Sequence, residues 1–188
     1  MTIGILANQL SNAQLQVTNV SSADALVQRL LGQGITVSNV KLTAHPAMTG
    51  FFKNLGGNSI GIDSGIVLTN GVAKTDRNKF GVDGDGVATA ILTAAHNAWG
   101  FPGDADLSAI VGDITNDACV LEFDFVPLGD SIRFNYVFSS EEYTLYSCSQ
   151  FNDAFAFFIS GPGITGLQNI ALIPNTNLPV TINNINEK

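Results

Sequence analysis

Cys119-Val-Leu-Glu-Phe-Asp-Phe-Val126, followed past Pro127-Leu-Gly-Asp130 by Ile132-Arg-Phe-Asn-Tyr-Val-Phe138, is the stretch that decides the fold class. In an extended chain successive side chains face opposite ways, so Cys119, Leu121, Phe123 and Phe125 share one side, and Val120, Glu122, Asp124 and Val126 the other. Ile132, Phe134, Tyr136 and Phe138 repeat the alternation. The pattern predicts two aromatic-rich strands joined by the turn into a hairpin whose ring-bearing faces need cover.

Further strands flank this pair. Downstream, Ala154-Phe-Ala-Phe-Phe-Ile-Ser160 reads as one strand ending at Gly161-Pro-Gly163, and Asn169-Ile-Ala-Leu-Ile173 as another stopped by Pro174. Pro179-Val-Thr-Ile-Asn-Asn-Ile-Asn186 reads as a last strand or a loop lining the same face. Upstream, residues 13–20 and 35–42 alternate, and Gly65-Ile-Val-Leu-Thr-Asn-Gly71 is a short apolar strand closed by glycine. Between the first two, Ser21-Ser-Ala-Asp24 opens a helix with Leu26, Val27, Leu30 and Leu31 at helical spacing, ended by Gly32 and Gly34. Residues 50–61 read as a glycine-dotted loop carrying Phe51 and Phe52, residues 74–87 as a polar surface loop, and 88–99 as an alanine-rich helix. The expected architecture is mainly β, a β-sandwich or jelly-roll-like domain spanning residues 1–188, with one or two short helices and no internal repeat.

Composition agrees. Of 188 residues 45% are apolar and only 13% charged, about half the usual share of roughly 25%. Sixteen acids against eight bases give a net charge of -8, which repels phosphate backbones and anionic lipid, so nucleic-acid partners are excluded. No apolar run reaches the roughly 20 residues of a membrane helix, and no insertion is expected. The start, Met1-Thr-Ile-Gly-Ile-Leu-Ala7, has no basic n-region or long apolar core, so a secreted form would have had its signal removed. Cys119 and Cys148 leave one disulfide open without implying a framework.

The densest oxygen cluster is Glu141, Glu142, Asn152 and Asp153, on either side of one loop. A turn joining the two sides would converge carboxylates and an amide, a donor set suited to Ca²⁺. The competing reading has the glutamates capping backbone amides and Asp153 in an Asx-turn. Asp83 with Asp85, and Asp104 with Asp106, are second candidates for a cation; neither completes an EF-hand loop, and solvated acidic loops account for them. For hydrolysis, Glu141 and Asp153 are the pair able to flank a glycosidic bond. His45, before Pro46, and His96 read as packed or surface residues, and neither cysteine has a catalytic frame. Tyr143, Tyr146 and Trp99 would make a sugar platform if exposed.

Several blocks together resemble the choice-of-anchor L domain. They are Asp117-Ala-Cys-Val-Leu-Glu-Phe-Asp-Phe-Val-Pro127, Phe134-Asn-Tyr-Val-Phe-Ser-Ser-Glu-Glu-Tyr143, Phe151-Asn-Asp-Ala-Phe-Ala-Phe-Phe-Ile-Ser-Gly-Pro-Gly163, Asn169-Ile-Ala-Leu-Ile-Pro174 and Pro179-Val-Thr-Ile-Asn-Asn-Ile-Asn186. Gly34-Ile-Thr-Val-Ser-Asn-Val40 and Gly61-Ile-Asp-Ser-Gly-Ile-Val-Leu-Thr69 agree. The resemblance implies a bacterial extracellular or cell-surface module, with adhesion the presumed role. It also implies further strands beyond the Val-Thr-Ile-Asn-Asn block, so Lys188 is expected to precede the family's last strands. Residues 88–99 lie outside the pattern. Three functions follow as expectations: a Ca²⁺-stabilised, non-enzymatic adhesion or structural module meeting other protein subunits or surface glycans; a homo-oligomer or filament built by strand complementation; and a carbohydrate-active hydrolase.

Overall fold

The structure, a computed structural model, describes residues 15–31, 34–54, 60–73, 99–140, 143 and 146–186. In chain order the elements are β1 (Leu15–Asn19), α1 (Ala23–Leu31), β2 (Thr36–Thr43), a 3-10 turn (Pro46–Met48), β3 (Thr49–Asn54), β4 (Ser64–Leu68), α2 (Ala105–Val111), β5 (Val120–Val126), β6 (Ala154–Phe155), β7 (Phe158–Ile159), β8 (Gln168–Asn169) and β9 (Val180–Thr181). The chain is mainly β, as its patterning predicts, and the described residues include two short α-helices, of which α1 is at the place expected. Its strands fall into several small antiparallel sheets: β1-β3-β4, β2-β5, β6-β9 and β7-β8.

α1 starts where Ser22 Oγ accepts from the Ala25 amide at 3.3 Å. Asp24 in its first turn and Arg29 in its last complement the helix dipole. Its apolar stripe drives Leu26 and Val27 to complete burial, 0% and 1% exposed. Arg29 reaches over the Phe51 ring, 5.8 Å from its centroid.

β3 corrects the glycine-dotted loop expected over 50–61. Gly50 is there for close approach of two backbones rather than for a turn: a Cβ on it would stand 2.6 Å from the Thr18 carbonyl oxygen of β1. Gly65 of β4 lies opposite Phe52 and leaves room for that ring, which a Cβ would meet at 2.9 Å. The sheet so formed carries the cluster Val17, Phe52 and Ala73, with Ile60, Ile62 and Val67 against it. Met48 and Thr49 are fully buried beside it, and Thr49 donates its hydroxyl to the Val20 carbonyl.

The hairpin expected between 119–126 and 132–138 does not form. β5 pairs instead with β2, from Thr36↔Val126 to Thr43↔Val120, with an irregularity between Ser38 and Lys41 where Asn39 takes a positive φ of 53°. Residues 131–140 form no ladder. The alternation of β5 is as expected, with Leu121, Phe123 and Phe125 on the half-buried side.

Two more expectations are corrected. The single strand over 154–160 is divided into β6 and β7, because the two ends take different partners, β9 and β8. The acidic loop around Asp104 and Asp106 is the start of α2, which ends on Gly112 in the left-handed conformation at φ 76°. The helix expected over 88–99 lies outside the described residues, apart from Trp99.

Candidate functional site

Asp153 is the hub of the polar groups singled out by the sequence. It directly precedes β6, and its backbone carbonyl accepts from the Ile182 amide at 3.1 Å, extending the β6-β9 ladder by one residue. That pairing turns the partly buried carboxylate toward two donors from distant segments. Asn70 Nδ2, just past β4, donates to Oδ1 at 3.2 Å, and Ser140 Oγ donates to Oδ2 at 3.1 Å. Burial pushes the Asp153 carboxyl above its ordinary range, and the bonds from Ser140 and Asn70 offset part of that rise. Tyr143 stands close enough to sense this charge: burial, then the Asp153 carboxylate, raises its phenol. The Tyr143 hydroxyl is shielded from water and has no hydrogen-bond partner among the described residues.

Asn152, the second expected ligand, faces elsewhere. Its Oδ1 accepts from the Asn183 amide at 3.1 Å. Asn183 in turn accepts from the Cys148 amide at 2.7 Å and donates to the Ser149 carbonyl at 3.1 Å. The carboxamides of Asn152 and Asn183 thus tie the 146–152 loop to the turn after β9, and Cys148 is held there at a positive φ of 63°. This is a structural hydrogen-bond network built on asparagines, and Asp153 makes long-range bonds rather than the Asx-turn of the competing reading.

Glu141 and Glu142 lie outside the described residues, as do Asp83, Asp85 and His96. Asp104 is a helix cap: its Oδ1 accepts from the Asp106 and Leu107 amides at 3.0 and 2.9 Å. Asp106 occupies the first turn of α2. Among the described residues no group of three or more His, Cys, Asp or Glu is placed to hold a metal ion.

Two clusters carry roles the sequence reading missed. Asp117, with a positive φ of 51°, accepts from the amides of Trp99 at 3.2 Å and Phe101 at 2.8 Å. It fixes the segment that brings Trp99 onto His45, whose rings stack at 3.8 Å between centroids and 17° between planes. His45 Nδ1 also accepts from the Ala47 amide at 3.2 Å, so this histidine is packed and engaged. The Asp-Ala-Cys context of residues 117–119 held no signal for the clamp beyond the tolerance of Asp for such backbone. Trp99, grouped with Tyr143 and Tyr146 as a sugar platform, belongs to this stack instead.

The second cluster is an aromatic band. Phe134 stacks on Phe157 with centroids 5.2 Å apart, Tyr136 lies 5.0 Å from Phe155, and Phe155 meets Phe157 edge-on at 4.9 Å. Tyr146 and Phe151 form an edge contact of their own at 5.3 Å. Phe151 is 47% exposed, Tyr146 39% and Phe158 37%. Both cysteines are free. Burial raises the Cys119 thiol to about 11, whereas Cys148 is exposed.

Small antiparallel sheets carrying an exposed aromatic band and polar-laced loops define a β-rich domain that presents a surface. The chain belongs to the choice-of-anchor L domain family, which matches it over residues 14–188. That membership makes it a surface-associated bacterial module. No curated protein and no solved structure matches it. No helix among the described residues is long and apolar enough to cross a membrane.

Proposed function

We propose that this domain is a non-enzymatic adhesion or scaffold module of the bacterial surface, and that its aromatic band meets the partner. The observation that carries this reading is the exposure of aromatic side chains: Tyr136, which packs with Phe134, Phe155 and Phe157 in the band, and Tyr146, Phe151 and Phe158 elsewhere in the same stretch of chain. Rings half in water lose apolar area when a protein face or the flat side of a sugar covers them. The test is binding of the purified chain to a polysaccharide panel and to immobilised copies of itself, with turnover followed in the same wells. Retention that falls in a Tyr146→Ser/Phe158→Ser variant of unchanged melting temperature supports the reading. Product release from any polysaccharide contradicts it, and Glu141→Gln with Asp153→Asn would then show whether that pair carries the hydrolysis.

Calcium belongs to the same proposal. Glu141 and Glu142 would join Asp153 around one ion, bracing the loops at the end of the band, so EDTA should lower the melting temperature and added Ca²⁺ restore it. An unchanged curve removes the ion.

A second reading, a self-assembling subunit, is supported by the outer edge of β5. Among the described residues β5 pairs on one side only, and Val126 at its end is 63% exposed. Strand addition from a second copy would cover it. Gel filtration that returns a monodisperse monomer at all concentrations contradicts this reading.

A further inference from the structure

The segment Ile132–Phe138 has the sequence of a strand and forms no ladder. No backbone hydrogen bond joins residues 132–138 to another described residue. Its rings nonetheless lie in order along a neighbour. Phe134 faces Phe157 and Tyr136 faces Phe155, so two steps forward on one segment match two steps back on the other. Two pairs that obey this rule place the segments antiparallel and in a single register.

The backbone of 153–159 shows which edge is involved. Asp153 and Phe157 direct their carbonyls to Ile182 and Ile170, at 3.1 and 2.8 Å. Phe155 pairs with Val180 and Ile159 with Gln168. The odd-numbered residues therefore face β9 and β8, and alternation turns the N–H and C=O groups of Ala154, Ala156 and Phe158 to the opposite edge. In that register these three stand opposite Val137, Asn135 and Arg133. The ring pairs then fall at the non-hydrogen-bonded positions, where facing Cα atoms come to about 4.5 Å and side chains meet most closely. The close stacking of Phe134 on Phe157 fits that placement.

We propose that Ile132–Phe138 is a strap that closes on the free edge of residues 154–158, through reciprocal backbone bonds of Arg133 with Phe158, Asn135 with Ala156 and Val137 with Ala154. The structure holds it with its rings in register and its ladder open. One end is already tied, since Ser140 donates to Asp153 at 3.1 Å. Closure joins the segment to the β6-β9 and β7-β8 pairs as one continuous sheet. It also gives partners to the backbone groups of Ala154 and Ala156, which are partly buried. Because the segment bears one charge, Arg133, in a chain of net charge -8, no carboxylate repulsion opposes its approach.

This inference is independent of what the aromatic band binds. Amide exchange on the isolated, full-length monomer, resolved by residue, tests it. The amides of Arg133, Asn135, Val137, Ala154, Ala156 and Phe158 should exchange at least about tenfold more slowly than those of Phe134 and Tyr136, an alternation that only a closed ladder produces. Asn135→Pro, which removes the central donor, should abolish the protection at all six while the β1 and β3 amides keep theirs, showing that the variant folds. Uniformly fast exchange across 133–137 overturns the strap. Protection that appears only as protein concentration rises also overturns it, because a second copy would then supply the ladder.

Discussion

The sheet β1-β3-β4 with α1 and the stretch from Tyr146 to Asn186 are held by different physics. In the first, large side chains leave water entirely: Leu26, Val27, Met48 and Thr49 are each at most 1% exposed, and Val17 and Phe52 follow. Strands of five and six residues pair without interruption. In the second, the strands are two residues long and asparagines do the joining. Asn169 Oδ1 accepts from the Phe157 and Ala171 amides, Asn183 clamps the 148–149 backbone, and Asn184 and Asn186 donate to carbonyls of Pro179 and Ile182. Its buried residues are Ser147, Ala171, Val180, Thr181 and Ile182. Apolar burial gives one region its stability; hydrogen bonds give the other its shape, leaving aromatic area exposed.

The comparison is sharpest where a cavity is opened in the first region. Leu26→Ala should cost about 2–5 kcal/mol in urea unfolding, because a fully enclosed side chain leaves a void that its neighbours fill only in part. A loss below about 1 kcal/mol would mean that α1 is not part of the core. In the second region, Asn183→Ala removes one acceptor and one donor and should cost about 1–3 kcal/mol. It should also make the 146–152 loop far more sensitive to protease while β3 stays resistant. Equal sensitivity of both would break the distinction.

Asp153 supplies a pH test. Its carboxyl is raised above the ordinary 3.8 by burial, so the folded state prefers it protonated. Stability from this group is therefore fully present below the unfolded-state value and is lost as pH rises through the raised folded value. Asp153→Asn should flatten the stability profile across that window in metal-free buffer. The same variant separates the calcium proposal, since an ion-holding Asp153 would make the substitution destabilising when Ca²⁺ is added. Thiol labelling gives a smaller contrast: Cys148 should react with iodoacetamide at neutral pH well before Cys119, whose raised thiol is almost wholly protonated there. Smallest of all, Lys41→Met should change stability by less than about 1 kcal/mol, because the Lys41–Glu122 pair at 2.8 Å is exposed on both sides.

Much of this was legible in the residues. Period-two alternation located β1, β2 and β5, a short apolar run closed by glycine located β4, and the Ser21-Ser-Ala-Asp24 start located α1, because these signals are local. Partnership is not local. Nothing in Cys119–Val126 says that β2, rather than the next strand, lies beside it, so the hairpin reading failed. β3 was hidden because glycine marks both turns and close backbone contacts, and Gly50 is the second kind. α2 was readable in retrospect: Asp104 as a cap, Leu107, Ile110 and Val111 at helical spacing, and Gly112 to end it. Reading Asp104 and Asp106 as cation ligands obscured that signal. At the candidate site, Asp153 was found by its clustering with Asn152, but its partners Asn70 and Ser140 come from elsewhere in the fold and leave no trace in spacing.

Native-state amide exchange in low urea tests the division between the two regions most directly. Amides of β1, β3 and α1 should exchange only through global unfolding, with the full urea dependence, while those of β6 to β9 open at lower free energy and with a shallower slope. Merging of both sets onto one isotherm would contradict the account, for it would mean that burial and hydrogen bonding stabilise a single indivisible unit.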